Sequence, residues 1–128
     1  MDFTFLGKVL TQEQAAHLRH KLLERLATHL YSDREECIPI SCQIKPMQQG
    51  HQLDVTWFSG SGELVVFMEN YDTMVLSTSG PVLKFLNNRE PWQDFDVCIF
   101  DQEVTWCVAL THNDEAKFVR LTTDEQLK

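Results

Sequence analysis

The spacing of apolar positions changes several times along the chain, and each change predicts an element. Ala15, Leu18, Leu22, Leu26 and Leu30 recur every three or four residues, with Leu23 widening the stripe. That spacing predicts one amphipathic helix from Gln12 to Leu30. Thr11 stands before it as an N-cap, with Gln14 at the capping-box position and Leu10 placed to act as a staple. Residues 3–10, FTFLGKVL, predict a lead-in strand or a packed arm. From Cys37 the period becomes two: Ile38, Ile40, Cys42 and Ile44 share a face, which predicts a strand held to an edge by Pro39. Gln48-Gln49-Gly50 reads as a turn, and Leu53, Val55 and Trp57 as alternate positions of the next strand. Gly60-Ser61-Gly62 then offers a hairpin connection. Leu64, Val66 and Met68 alternate with Val65 and Phe67, so this strand has apolar side chains on both sides and predicts a central position. Asn70-Tyr71-Asp72 is a turn before a short strand, Met74 to Leu76.

Ser79 followed by Pro81 marks a helix start, because proline fits the first turn, where its missing N–H is not needed. Val82, Leu83, Phe85 and Leu86 predict a short helix that closes around Asn87-Asn88, and Pro91 forbids its continuation. Asp94 to Leu121 carries the densest strand signal and predicts three strands. Its first hairpin restricts its own register. Phe95, Val97 and Ile99 must share a face with Trp106, Val108 and Leu110, which an even-length connection satisfies and an unbulged three-residue loop does not. A four-residue loop, Asp101 to Val104, would pair Ile99 with Trp106 and set Cys98 opposite Cys107; a two-residue loop would pair Val97 with Trp106. Either register sends Trp106 to the core. Thr122 to Lys128 is polar and predicts a frayed end or a last helical turn.

The order is helix, meander, short helix, meander. It predicts an α+β fold: one domain over residues 1–128, with an antiparallel meander sheet and the long N-terminal and short second helices packed on one face. A crossover α/β fold would need helices between most strands, and they are missing.

Charge adds a direction. The chain of 128 residues has a formal net charge of −8. Ten acids and eight lysines or arginines fall before residue 90, against nine and three from there on, so the negative surplus gathers in the last third. This excludes a phosphate-backbone binder, which needs clustered cations to displace counterions, and suits steering toward a basic partner. Met1-Asp2-Phe3 opens on an acid and no long apolar run follows, so neither a secretory signal nor a membrane span is expected. Cys37, Cys42, Cys98 and Cys107 match no common zinc spacing, and a cytoplasmic location with free thiols is the expectation.

Candidate chemistry is sparse. His17 and His20 are spaced to share a metal on the first helix, but no second half of a site follows. His112 could pair with a carboxylate and Cys107 or Cys98 as a nucleophile. Both cysteines lie inside strands of an acidic region, which opposes thiolate formation. Ser77-Thr78-Ser79-Gly80 precedes a helix but lacks a phosphate-loop pattern. The acids Glu90, Asp94, Asp96, Asp101, Glu103, Asp114 and Glu115 form the fullest set. They can be read as solvated loop acids, as a metal or glycosidase pair, or as an edge that meets Lys and Arg on a basic protein. Trp92, beside Pro91 and outside any strand pattern, is either a cap on the second helix or a surface anchor. No catalytic residue, cofactor or metal is assigned. The partner-binding set is Trp92, Asp94, Asp96, Asp101, Glu103, Asp114 and Glu115.

The segment Cys98 to Val119 resembles a C-terminal hairpin of small bacterial toxin-immunity proteins: Ile99-Phe100, an acidic turn from Asp101 to Glu103, Trp106 in the second strand, and the break Thr111-His112-Asn113-Asp114-Glu115. The resemblance implies a small cytoplasmic, non-enzymatic protein that binds one cognate toxin and occludes its active site or docking surface. Acidic character would suit a basic, nuclease-like toxin. The alternatives are a small-molecule or peptide-binding module with its pocket between the first helix and the sheet, and a small hydrolase using His112.

Overall fold

The computed structural model describes residues 3–31, 39–50, 55–58, 62–87, 96–112 and 115–121. Helix α1, Gln12–Leu26, continues as a 3-10 turn, Ala27–His29. The predicted capping box forms: Gln14 N–H donates to Thr11 Oγ1 and Thr11 N–H donates to Gln14 Oε1. Later come a single helical turn, α2 (Ile40–Gln43), and a short helix, α3 (Ser79–Asn87), as the Ser-Pro signal predicts for the latter.

Among the described residues, seven strands form one antiparallel sheet: β1 (Lys8–Val9), β2 (Gln48–Gly50), β3 (Glu63–Met68), β4 (Thr73–Thr78), β5 (Val97–Asp101), β6 (Trp106–Leu110) and β7 (Ala116–Arg120). Their spatial order is β1-β4-β3-β5-β6-β7-β2. The fold is therefore α+β, with a β3–β4 hairpin and a β5–β6–β7 meander joined through the β3–β5 pair.

β3 is central and covered on both faces, as its two-sided apolar pattern predicts. Leu64, Val66 and Met68 pack in one core with Val75, Val97, Ile99, Val108 and Phe118. Val65 and Phe67 pack in the other with Cys98, Phe100, Cys107 and Val119. The helices divide between these faces, which corrects the expectation that they share one. Leu22 and Leu26 of α1 close the second core, and Val82 of α3 closes the first, together with Phe3 and Leu6 of the N-terminal arm. A meander with apolar residues at both odd and even positions has two faces to bury, and one layer of helices covers only one. The arm lies tightly on β4: Gly7 sits at φ 156°, and a Cβ there would collide with the Leu76 carbonyl.

Three local expectations are overturned. Ile40 to Ile44 is a helical turn ending in an isolated bridge to Leu30, and not an edge strand. Ile40 and Ile44 are four apart and fit either period, and the ends of the turn are held from elsewhere. Glu69 accepts the N–H groups of Ile40 and Ser41 at 2.7 and 3.0 Å, while Lys117 Nζ donates to the carbonyls of Ser41, Cys42 and Ile44. Gln48–Gly50, read as a turn, is an edge strand on β7. Val55–Phe58 is a 3-10 turn, with Trp57 stacked on Phe118 at 5.7 Å; Leu53 and Asp54 lie outside the described residues, as do Ile38 and the end of the chain from Thr122.

The last hairpin keeps the predicted parity with a longer connection. Phe100 pairs with Cys107 and Cys98 with Ala109, so Cys98 and Cys107 are not opposed, and both are free thiols. Val104 N–H closes onto the Asp101 carbonyl at 2.9 Å. Val104 occupies the left-handed region at φ 55° with its side chain fully buried, so burial holds a β-branched residue where it is strained. Trp106 shares the predicted face but is only half-buried.

Candidate functional site

At one end of the sheet, four segments distant in sequence converge on a single carboxylate. Asp96 immediately precedes β5, and its side chain is only 4% exposed. Its Oδ1 receives the backbone N–H of His112 at 3.0 Å, faces His112 Nδ1 at 2.9 Å, and lies 3.5 Å from Cys42 Sγ. Asn70 grips the residue from the other side: its Nδ2 donates to Asp96 Oδ2 at 3.3 Å, and its Oδ1 accepts the Asp96 backbone N–H at 2.7 Å. The His112 ring is 45% exposed and forms the outer wall. A carboxylate of this kind is affordable in the interior only because donors surround it.

Two further groups, part-buried Glu69 and buried Lys117, frame the cluster. Burial pushes the Glu69 carboxyl up, against the pull of its bonds to Ser41 and Ile40. Lys117 is buried with no carboxylate partner among the described residues; its Nζ donates to the three carbonyls at the end of α2 and lies 5.9 Å from the Tyr31 ring.

The expected combination of cysteine, histidine and carboxylate therefore does assemble around His112, but with Cys42 in place of Cys98 or Cys107. It is not arranged as a nucleophilic relay. In a relay the carboxylate holds one ring nitrogen and the nucleophile meets the other. Here Asp96 Oδ1 and Cys42 Sγ both approach Nδ1, the sulfur at 3.8 Å. Burial and the neighbouring Asp96 push the Cys42 thiol up to about 11. The Cys98 thiol is also raised, by its contact with Cys107 and by burial. None of this favours a thiolate.

The acids expected on a binding rim divide sharply. Asp96 is buried and accepts four hydrogen bonds or close donors, so it cannot serve as a rim contact. Glu115 bonds Gln49 and Thr111. Asp101 folds its own turn, accepting Thr105 N–H at 2.7 Å and Thr105 Oγ1 at 2.6 Å. Glu103 is exposed. Trp92, Asp94 and Asp114 lie outside the described residues. At the Asp101 end, the pairing of Leu64 with Asp101 brings exposed Glu63 beside the turn, where Gln102 Nε2 donates to its carboxylate at 3.1 Å. Glu63 was not singled out in the sequence, because only the β3–β5 pairing places it there. Cys42, Glu69, Asn70 and Lys117 were missed for the same reason; each acts on residues far along the chain.

On the α3 face, Gln48, Thr56, Trp57, Trp106, Phe118 and Arg120 line a cavity of about 230 Å³. Trp57 Nε1 donates to Gln48 Oε1 at 2.9 Å there. Among the described residues, no helix is long and apolar enough to cross a membrane.

What the fold and site define is an α+β protein with a seven-stranded antiparallel sheet and a buried polar cluster at one sheet end. No protein-family model matches the chain, and comparison with curated proteins and with solved structures gives no match.

Proposed function

We propose that this chain is a non-enzymatic, cytoplasmic binding protein of the toxin-immunity kind. It covers the active site or docking surface of a basic, nuclease-like bacterial toxin. The observation that carries the reading is the end of the sheet where exposed Glu63 and Glu103 flank the Asp101 turn in a chain of net charge −8. Carboxylates so placed attract Lys and Arg on a partner and speed encounter. The raised Cys42 thiol and its shared contact on Nδ1 support a binding role over a hydrolase built on His112. The test is co-purification with the product of the adjacent reading frame. Complex formation that weakens with salt and abolishes that product's toxicity supports the reading; a product that neither co-elutes nor loses activity overturns it.

A second reading, a small-molecule or peptide-binding module, is favoured by the cavity between Trp57 and Trp106. It lies on the face opposite α1, and not between α1 and the sheet as expected from the sequence. Its volume is below the roughly 300–1,000 Å³ usual for drug-sized ligands. A ligand that survives purification and is lost on Trp57→Ala would favour this reading.

A further inference from the structure

We propose that Cys42, Asp96 and His112 supply three ligands of a binding site for a divalent zinc-class ion. Their ligand atoms lie within 4.8 Å of one another. The separations are 2.9 Å from Nδ1 to Oδ1, 3.5 Å from Sγ to Oδ1 and 3.8 Å from Sγ to Nδ1. With bond lengths of about 2.0 Å to nitrogen and oxygen and about 2.3 Å to sulfur, these separations set ligand–metal–ligand angles of about 90°, 110° and 125°. They bracket the tetrahedral value, so one ion reaches all three atoms without backbone movement.

The donor set is specific in its chemistry. One sulfur, one imidazole nitrogen and one carboxylate oxygen suit a borderline ion such as zinc; magnesium and calcium take oxygen shells. A thiolate and a carboxylate carry two negative charges, which balance a divalent cation. Binding sends the Cys42 thiol proton to solvent and takes the His112 tautomer that carries its ring proton on Nε2, leaving the Nδ1 lone pair for the ion. The outer shell is already built: Asn70 fixes both the backbone and the second oxygen of Asp96. Lys117 Nζ fixes the carbonyl of Cys42 itself. Such partners orient the ligands of metal sites. The His112 ring is 45% exposed, which gives an ion a path from solvent to the cluster. The three ligands come from segments 54 and 70 residues apart, which is why no ligand spacing shows in the sequence.

This site is independent of the acidic end and of any protein partner, so its test needs neither. Cobalt(II) is titrated into chelator-treated protein and followed by absorption. The expected result is saturation at one equivalent, with visible bands of tetrahedral intensity and a near-ultraviolet thiolate-to-cobalt band, both bleached by one equivalent of zinc. Cys42→Ser should remove the near-ultraviolet band, and Cys107→Ser should keep it. His112→Ala, a change at a partly exposed ring, should weaken cobalt binding by more than about a hundredfold, and it decides the matter if Cys42→Ser does not fold. A wild-type spectrum without the thiolate band, a band that survives Cys42→Ser, or unchanged affinity in His112→Ala overturns the proposal.

Discussion

The two ends of the sheet carry similar acids and use them in opposite ways. At the end where β5 begins, Asp96, Glu69 and Glu115 each accept hydrogen bonds from neighbouring segments, and Asp96 is almost wholly buried. At the end where β5 finishes, Glu63 and Glu103 are exposed, Glu63 with one bond from Gln102, and Asp101 is tied into its own turn by Thr105. Residue type does not separate these roles. What separates them is how deeply each carboxylate is buried and where its donors come from. Four chain segments meet at Asp96, so its carboxylate must organise donors to be tolerated there. The donors to Asp101 come from its own turn, and Glu63 and Glu103 stay in water, where they can act at a distance on a charged partner.

That contrast can be broken by substitution. Asp96→Ala should cost the most, about 3 kcal/mol or more, because it leaves the Asn70 side chain and the His112 amide without their acceptor; urea denaturation measures it, and a cost under about 0.5 kcal/mol would remove Asp96 as the organiser of that end. Lys117→Met should cost about 2 kcal/mol in the same assay, through three carbonyls that lose their donor. Asp101→Ala should cost about 1–2 kcal/mol, since the Thr105 amide loses its acceptor beside the strained Val104. Equal costs for Asp101 and Asp96 would erase the difference between the ends.

Glu69 sharpens the comparison through pH. Burial raises its folded-state pKa, so the folded chain holds the proton more tightly than the unfolded chain does. Its contribution is therefore fully present below the unfolded carboxylate value of about 4.3, and is lost as pH rises through the higher folded value. Thermal melts across the acidic range should show a smaller loss on approach to neutrality in Glu69→Gln than in the wild type. An unchanged slope would mean Glu69 titrates alike in both states. The smallest effect on stability belongs to Glu63→Lys with Glu103→Lys, within about 0.5 kcal/mol. The same pair should slow association with a basic partner measurably by stopped flow, and an unchanged rate would take the open end out of recognition.

The sequence by itself determined the elements whose signals are local or repeat over several residues. The capping box at Thr11 and Gln14, the leucine stripe of α1, the Ser79-Pro81 start of α3, the two-sided pattern of β3 and the parity of the β5–β6 hairpin all follow from spacing within one segment. Where two periods fit the same residues, the sequence could not choose. Ile40 and Ile44 suit a strand or a helical turn, and Glu69, from the 3-10 turn after β3, and Lys117 of β7 decided for the turn. The tertiary structure likewise decided which acids are structural. A carboxylate's role depends on the donors around it, and the donors of Asp96 come from Cys42, Asn70 and His112, which meet only once the sheet order β1-β4-β3-β5-β6-β7-β2 is in place. Long-range pairing leaves no trace in local periodicity, and so α1 and α3 were legible in the chain while α2 and the polar cluster were not.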